Sequence, residues 1–135
     1  MFIYDTLENI GIETLHETFL NAFSDYQVKM DLPLFKFQHM LQRRGYVSKV
    51  SIGAFNDDIL VGFVLNGVRN WDGKLTAYDT GTGIIEAYRK QGITSNMLLN
   101  VRRLFQQMGV EQYLLEVIQL NTSALQLYKN KDLRF

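Results

Sequence analysis

Apolar residues recur along this chain with two different periods, and the change of period divides it into elements. Within residues 11–23, Ile12, Leu15, Phe19 and Phe23 fall at helical spacing and predict a helix with one apolar face. Ser24-Asp25 breaks that pattern. Pro33, the only proline, suits the opening of a second helix, with Asp31 just ahead as a capping candidate. That helix runs to Arg43-Arg44, cations suited to a helix C-terminus, and Gly45 ends it. Residues 2–4 read as a short strand before both helices.

From Val50 onward the residue types change. Residues 50–55, 59–68 and 75–85 are rich in β-branched and aromatic side chains. Their links, Asn56-Asp57-Asp58 and Asn70-Trp71-Asp72-Gly73, are short and turn-forming, which predicts antiparallel hairpins. An amphipathic helix follows over residues 92–108, with Ile93, Met97, Val101, Leu104 and Met108 on one face and Gly109 ending it. A strand over residues 113–118 comes next, so this strand, helix, strand passage implies a parallel crossover. The expectation is an α/β (α+β) mixed sheet with helices on its faces. No repeat or linker divides the chain, so residues 1–135 read as a single domain.

Composition narrows the function. Lys plus Arg equals Asp plus Glu at 14 each, so no global field recruits nucleic acid or an anionic membrane. The absence of cysteine removes disulfides and thiolate nucleophiles and fits a reducing cytoplasm. No basic and apolar leader is read at the start, and no apolar run approaches the roughly 20 residues of a membrane helix. His16 and His39 lie on separate predicted helices, so no metal site is read. Phosphate-loop, dinucleotide and serine-hydrolase motifs are likewise missing.

One stretch carries chemistry of its own. Tyr88-Arg89-Lys90-Gln91-Gly92-Ile93-Thr94-Ser95 joins a predicted strand to a predicted helix. The first turn of a helix has N–H groups without partners and a partial positive charge, which together hold phosphate. Gly92 allows close backbone approach, and Arg89 and Lys90 add full charges. Downstream, Asn121-Thr122-Ser123-Ala124-Leu125-Gln126-Leu127-Tyr128 has the form N-x-x-A-x-x-x-Y.

This order of R-x-x-G-x, helix, strand and N-x-x-A-x-x-L-Y resembles the GNAT acetyltransferase family. The likeness in element order covers nearly the whole chain, and the motif likeness covers residues 80–128. The family's acyl-CoA motif is R/Q-x-x-G-x-G/A, and Thr94 stands at its last position. The resemblance implies a GNAT-like acyl-CoA N-acyltransferase fold with acetyl-CoA as cosubstrate and no metal. It implies acetyl transfer to a small-molecule or peptide amine, and the absence of cysteine to carry an acyl-enzyme favours direct attack in a ternary complex.

By the same resemblance, Arg89, Lys90, Gln91, Gly92, Ile93 and Thr94 face the pyrophosphate. Thr82 and Ile84, beside the strand glycines Gly81 and Gly83, would offer backbone groups to the pantetheine arm, although these glycines also suit a purely structural bulge. Asn121 would contact the same arm, a role compatible with capping the last helix. Tyr128 would protonate the leaving thiolate; its alternative is a core aromatic beside Leu125. Asp79 is the candidate general base through water, with Glu116 behind it, although strand alternation sets Asp79 and Tyr78 on opposite faces.

The competing class is a non-catalytic GNAT-like module that binds acyl-CoA or scaffolds a partner. The family's last two strands find no counterpart before Phe135. The expectation is therefore either the N-terminal part of a longer chain, or a homo-oligomer formed through the edge of the fifth strand.

Overall fold

The structure is a computed structural model and describes residues 1–25 and 32–115. Five strands form one sheet in the order β1 to β5: β1 (Phe2–Thr6), β2 (Ile52–Asn56), β3 (Ile59–Trp71), β4 (Lys74–Ile84) and β5 (Gln112–Leu115). The first four pair antiparallel and β5 pairs parallel to β4. The short links predict the β2–β3 and β3–β4 hairpins and the helical link predicts the parallel pair, whereas the pairing of β1 with β2 is not read from the sequence. The β3–β4 hairpin closes through Asp72 and Gly73, both with positive φ (51° and 76°), the form a two-residue turn needs to match strand twist.

Helices α1 (Ile12–Ala22) and α2 (Leu34–Arg44) precede β2, and α3 (Ile93–Met108) makes the crossover from β4 to β5. Alternation along β3 separates two cores. Phe63 and Leu65 pack with Leu15, Phe19, Phe37 and Leu41 of α1 and α2. Val64 packs on the other face with Met97, Val101 and Phe105 of α3. The result is three layers, with the sheet between one helix pair and one long helix. No helix among the described residues is long and apolar enough to cross a membrane.

Three expectations shift. Pro33 sits one residue ahead of α2 at its N-cap, with no side-chain cap there, and Asp31 lies outside the described residues. Val50 belongs to a 3₁₀ turn, so β2 starts at Ile52. On α3 the buried stripe ends at Phe105, whereas Met108 is 40% exposed, because the helix stops before another turn can dip inward. Strand β5 is described as far as Leu115; residues 116–135, with the expected last helix, lie outside the described residues.

Gly83 shows why β4 carries glycine. A Cβ there would lie 2.8 Å from Phe63 Cζ and 3.1 Å from Ala22 Cβ, so the missing side chain lets α1 cross the sheet closely without displacing these neighbours.

Candidate functional site

The end of β4 and the start of α3 are joined by a 3₁₀ turn (Glu86–Tyr88) and two left-handed residues, Lys90 (φ 63°) and Gly92 (φ 77°). Gly92 occupies the N-cap of α3, and no side chain caps the helix. The first intrahelical bond runs from Asn96 N–H to Gly92 O at 3.1 Å, so the N–H groups of Ile93, Thr94 and Ser95 come before any such partner. Among the described residues a Cβ at Gly92 would find no atom within 4 Å, so the space beside this glycine is open. Lys90 is exposed beside them. Open donors, a helix dipole and one cation fit a phosphate group. Gln91 is also exposed, whereas the Ile93 side chain is buried in the α3 core and only its backbone can face a ligand.

Arg89 has other duties. Its Nε donates to Ile84 O at 3.0 Å, and Nη2 donates to Ala22 O at 2.7 Å. Nη1 and Nη2 grip Asp25 at 2.6 and 3.0 Å. The side chain thus ties the end of α1 to the end of β4, where the Ala22 and Ile84 carbonyls need donors. The Arg89 hydrogen bond holds the Asp25 carboxyl below the ordinary carboxylate value. Much of the Arg89 charge is therefore met within the protein, and Lys90 is the cation presented to solvent.

The middle of β4 contains the expected irregularity. Leu65 pairs with Gly81 and Asn66 with Asp79, which leaves Thr80 as the extra residue of a bulge. The Thr80 hydroxyl donates to Leu65 O at 3.2 Å. Arg44 Nη1, from the last turn of α2, donates to the Thr80 carbonyl at 2.7 Å. Asp79 is almost wholly buried, and its oxygens accept from the Gly81 N–H (2.8 Å) and the Thr82 hydroxyl (2.7 Å). A carboxylate inside the strand thus braces the bulge.

Alternation from Ala77, which packs in the α3 core, puts Asp79 on the α3 face and Tyr78 on the α1/α2 face. The bulge shifts the count, so Thr82 and Ile84 share the face of Asp79, opposite Val64 and Gly62. The described β4–β5 ladder runs from Thr76–Gln112 to Asp79–Leu115. Thr82 and Ile84 lie further along β4 than its last pair.

Sequence reasoning missed a buried polar network beneath this strand. The Asn66 side-chain amide donates to Val50 O at 2.8 Å, the Asn66 backbone N–H donates to Ser51 Oγ at 2.8 Å, and Asn66 Oδ1 accepts from the Tyr113 hydroxyl. These bonds fix β2, β3 and β5 relative to one another around the bulge. The available signal was an asparagine inside the apolar run of β3. The reading of Arg44 as a helix-end charge holds for its position but missed its reach to Thr80. Asn121, Tyr128 and Glu116 lie outside the described residues, so the structure brings together Asp79, Thr82, Ile84 and the 89–94 turn alone. Among the described residues no group of three or more His, Cys, Asp or Glu side chains could hold a metal ion.

The chain matches the model of the Acetyltransferase (GNAT) family over residues 12–132. No curated protein matches it. Solved structures with the same fold include a ribosomal-protein-alanine N-acetyltransferase from Brucella melitensis biovar Abortus 2308, at 17% identity and TM-score 0.71, covering 95% of this chain and 88% of that one. An aminoglycoside acetyltransferase from an uncultured soil metagenomic sample matches at 18% identity and TM-score 0.70, over 100% of this chain and 93% of its own. A chain of the NatC complex bound to Gag peptide and CoA matches at 16% identity and TM-score 0.70, over 95% of this chain and 81% of its own.

Proposed function

The chain belongs to the GNAT acetyltransferase family, and from that premise we propose that it moves an acetyl group from acetyl-CoA to an amine by direct attack in a ternary complex. The observation that carries this reading is the open, glycine-capped N-terminus of α3 at the end of the bulged strand β4. Acetyl-CoA supplies an activated thioester. The N–H groups of Ile93, Thr94 and Ser95 and the Lys90 side chain hold its pyrophosphate, with Gln91 beside them and Arg89 fixing the turn. Backbone groups at Thr82 and Ile84, with Asn121, receive the pantetheine arm.

The amine nitrogen bonds to the acetyl carbon as the carbon–sulfur bond breaks. Tyr128 gives the departing thiolate its proton, an undemanding task because a thiol has a pKa of about 8.5. The proton lost by the amine passes to water. Asp79 is the candidate acceptor of that proton, a role its bracing bonds oppose. Without cysteine the chain has no thiol to carry the acetyl group, which favours direct attack. Similar structures include a NatC complex bound to a peptide and an aminoglycoside acetyltransferase, which supports a small-molecule or peptide amine as acceptor. A cytoplasmic setting belongs to the same reading and rests on the lack of cysteine. So does self-association through the edge of β5, one of the two edge strands among the described residues.

Two substitutions test the proposal. Gly92→Glu, which puts bulk and negative charge in front of the open donors, abolishes acetyl-CoA binding by calorimetry; unchanged affinity overturns the placement. Tyr128→Phe lowers turnover by about 10²-fold with little change in acetyl-CoA affinity. Wild-type turnover in the Phe variant, measured where chemistry limits the rate, assigns Tyr128 to packing.

A further inference from the structure

Two arginines flank the β4 bulge on the side away from Asp79. Arg44 reaches from α2 to the Thr80 carbonyl with one nitrogen, and both it and Arg69 are exposed. Arg69, on β3, holds its guanidinium carbon 4.8 Å from the Trp71 ring centre and 5.1 Å from that of Tyr78. Tyr78 and Thr80 are two residues apart on β4, about 7 Å along a strand. The guanidinium groups therefore lie along one short stretch of the α1/α2 face.

Neither has a carboxylate partner among the described residues, where the ion pair found is Arg89 with Asp25. The nearby acids are placed elsewhere: Asp79 faces α3, and Asp72 sits at the tip of the hairpin. These two side chains are held, one by a carbonyl and one against aromatic rings. A guanidinium already fixed in place loses less freedom on binding, and its planar fork matches a carboxylate in a bidentate pair.

We propose that Arg44 and Arg69 select an acceptor amine that also carries a carboxylate, as an amino acid or an acidic peptide end does. This rests on the acetyl-transfer reading, which puts the reacting end of the arm near Thr82, two residues beyond the Thr80 carbonyl that Arg44 grips. The carboxylate binds the arginines while the amine reaches along the bulge. A polycationic acceptor, such as the aminoglycosides named for several similar structures, meets two cations without a carboxylate partner among the described residues and is repelled.

The test measures thiol release from acetyl-CoA with free glutamate, a peptide with an acidic N-terminal residue, its neutral amide counterpart and an aminoglycoside. At least one acidic acceptor exceeds the neutral counterpart in kcat/KM by about 10-fold or more, the discrimination expected of a charge-assisted hydrogen bond. Whether glutamate or the peptide is better separates the two sources of the carboxylate. Arg44→Gln and Arg69→Gln each shrink that ratio, chiefly through KM, and Arg69→Glu moves the preference toward cationic amines. Arg69→Lys restores part of the preference. The Arg69 variants leave the Thr80 contact untouched, so they remain informative if Arg44→Gln fails to fold. Turnover with equal kcat/KM across charge classes, a preference for the aminoglycoside, or an unchanged ranking in the Arg69 variants overturns the inference while acetyl transfer stands. Thiol release from none of the acceptors overturns the acetyl-transfer reading and this inference with it.

Discussion

Asp79 shows how a buried carboxylate can serve the backbone before it serves chemistry. Its two oxygens take the Gly81 N–H and the Thr82 hydroxyl, and these bonds hold the bulge that displaces Thr80. Removing them in Asp79→Ala leaves the Gly81 donor buried without that acceptor, at a cost of about 1–3 kcal/mol. Asp79→Asn keeps an oxygen for Gly81 and an amide for the Thr82 hydroxyl, so it folds and retains turnover within a few-fold of wild type. Chemical denaturation and steady-state kinetics on the pair check this. A loss of turnover in the Asn variant at unchanged stability would instead assign Asp79 to proton transfer.

At the scale of elements, the junction of α1, β4 and α3 is made by one ion pair and one left-handed glycine. Arg89 and Asp25 are 26% and 32% exposed at their side chains, so the pair contributes a few tenths to about 1 kcal/mol. Asp25 is held below its ordinary value, first by the Arg89 hydrogen bond. A lowered folded-state value means the stabilisation is present above the unfolded value of about 3.9. It is lost as pH falls through the lowered one. Thermal melts from pH 6 down to pH 3 will show a steeper loss of stability in wild type than in Asp25→Asn. Identical profiles would mean that the pair adds nothing in solution. Acetyl-CoA affinity near neutral pH falls modestly in the variant, because Arg89 also orders the turn that leads into Gly92.

The whole molecule places its ligand ground at the carboxyl end of β4, where the chain leaves the sheet for α3. That location follows from topology: the sheet is antiparallel up to β4 and parallel after it, so helix α3 must start at the end of β4 to carry the chain back alongside β5. Strand β5 is one of the two edge strands among the described residues, and Leu114 on it is 36% exposed. We expect association of two copies along this edge, seen as a rise in apparent mass with concentration in light scattering. A constant monomer mass together with slow amide exchange at residues 112–115 would show that the edge is covered within one chain.

The sequence by itself determined the elements and their order. Apolar spacing and turn residues act locally, so the α1 and α3 faces, the Asp72-Gly73 hairpin and the parallel crossover were all legible in it. The open turn at Gly92 was legible too, because a glycine before an amphipathic run has few other uses. Tertiary structure decided which partner each polar side chain met. Arg89 looks like a free cation beside a phosphate until folding brings Asp25 and the Ala22 carbonyl to it from across the sheet. Arg44 looks like a helix-end charge until α2 is laid over Thr80. Asn66 and Tyr113 are 47 positions apart and meet only because β5 returns beside β4. Periodicity records which face a residue takes. It carries no record of what the opposite side of the contact will be, because that depends on how separate elements pack.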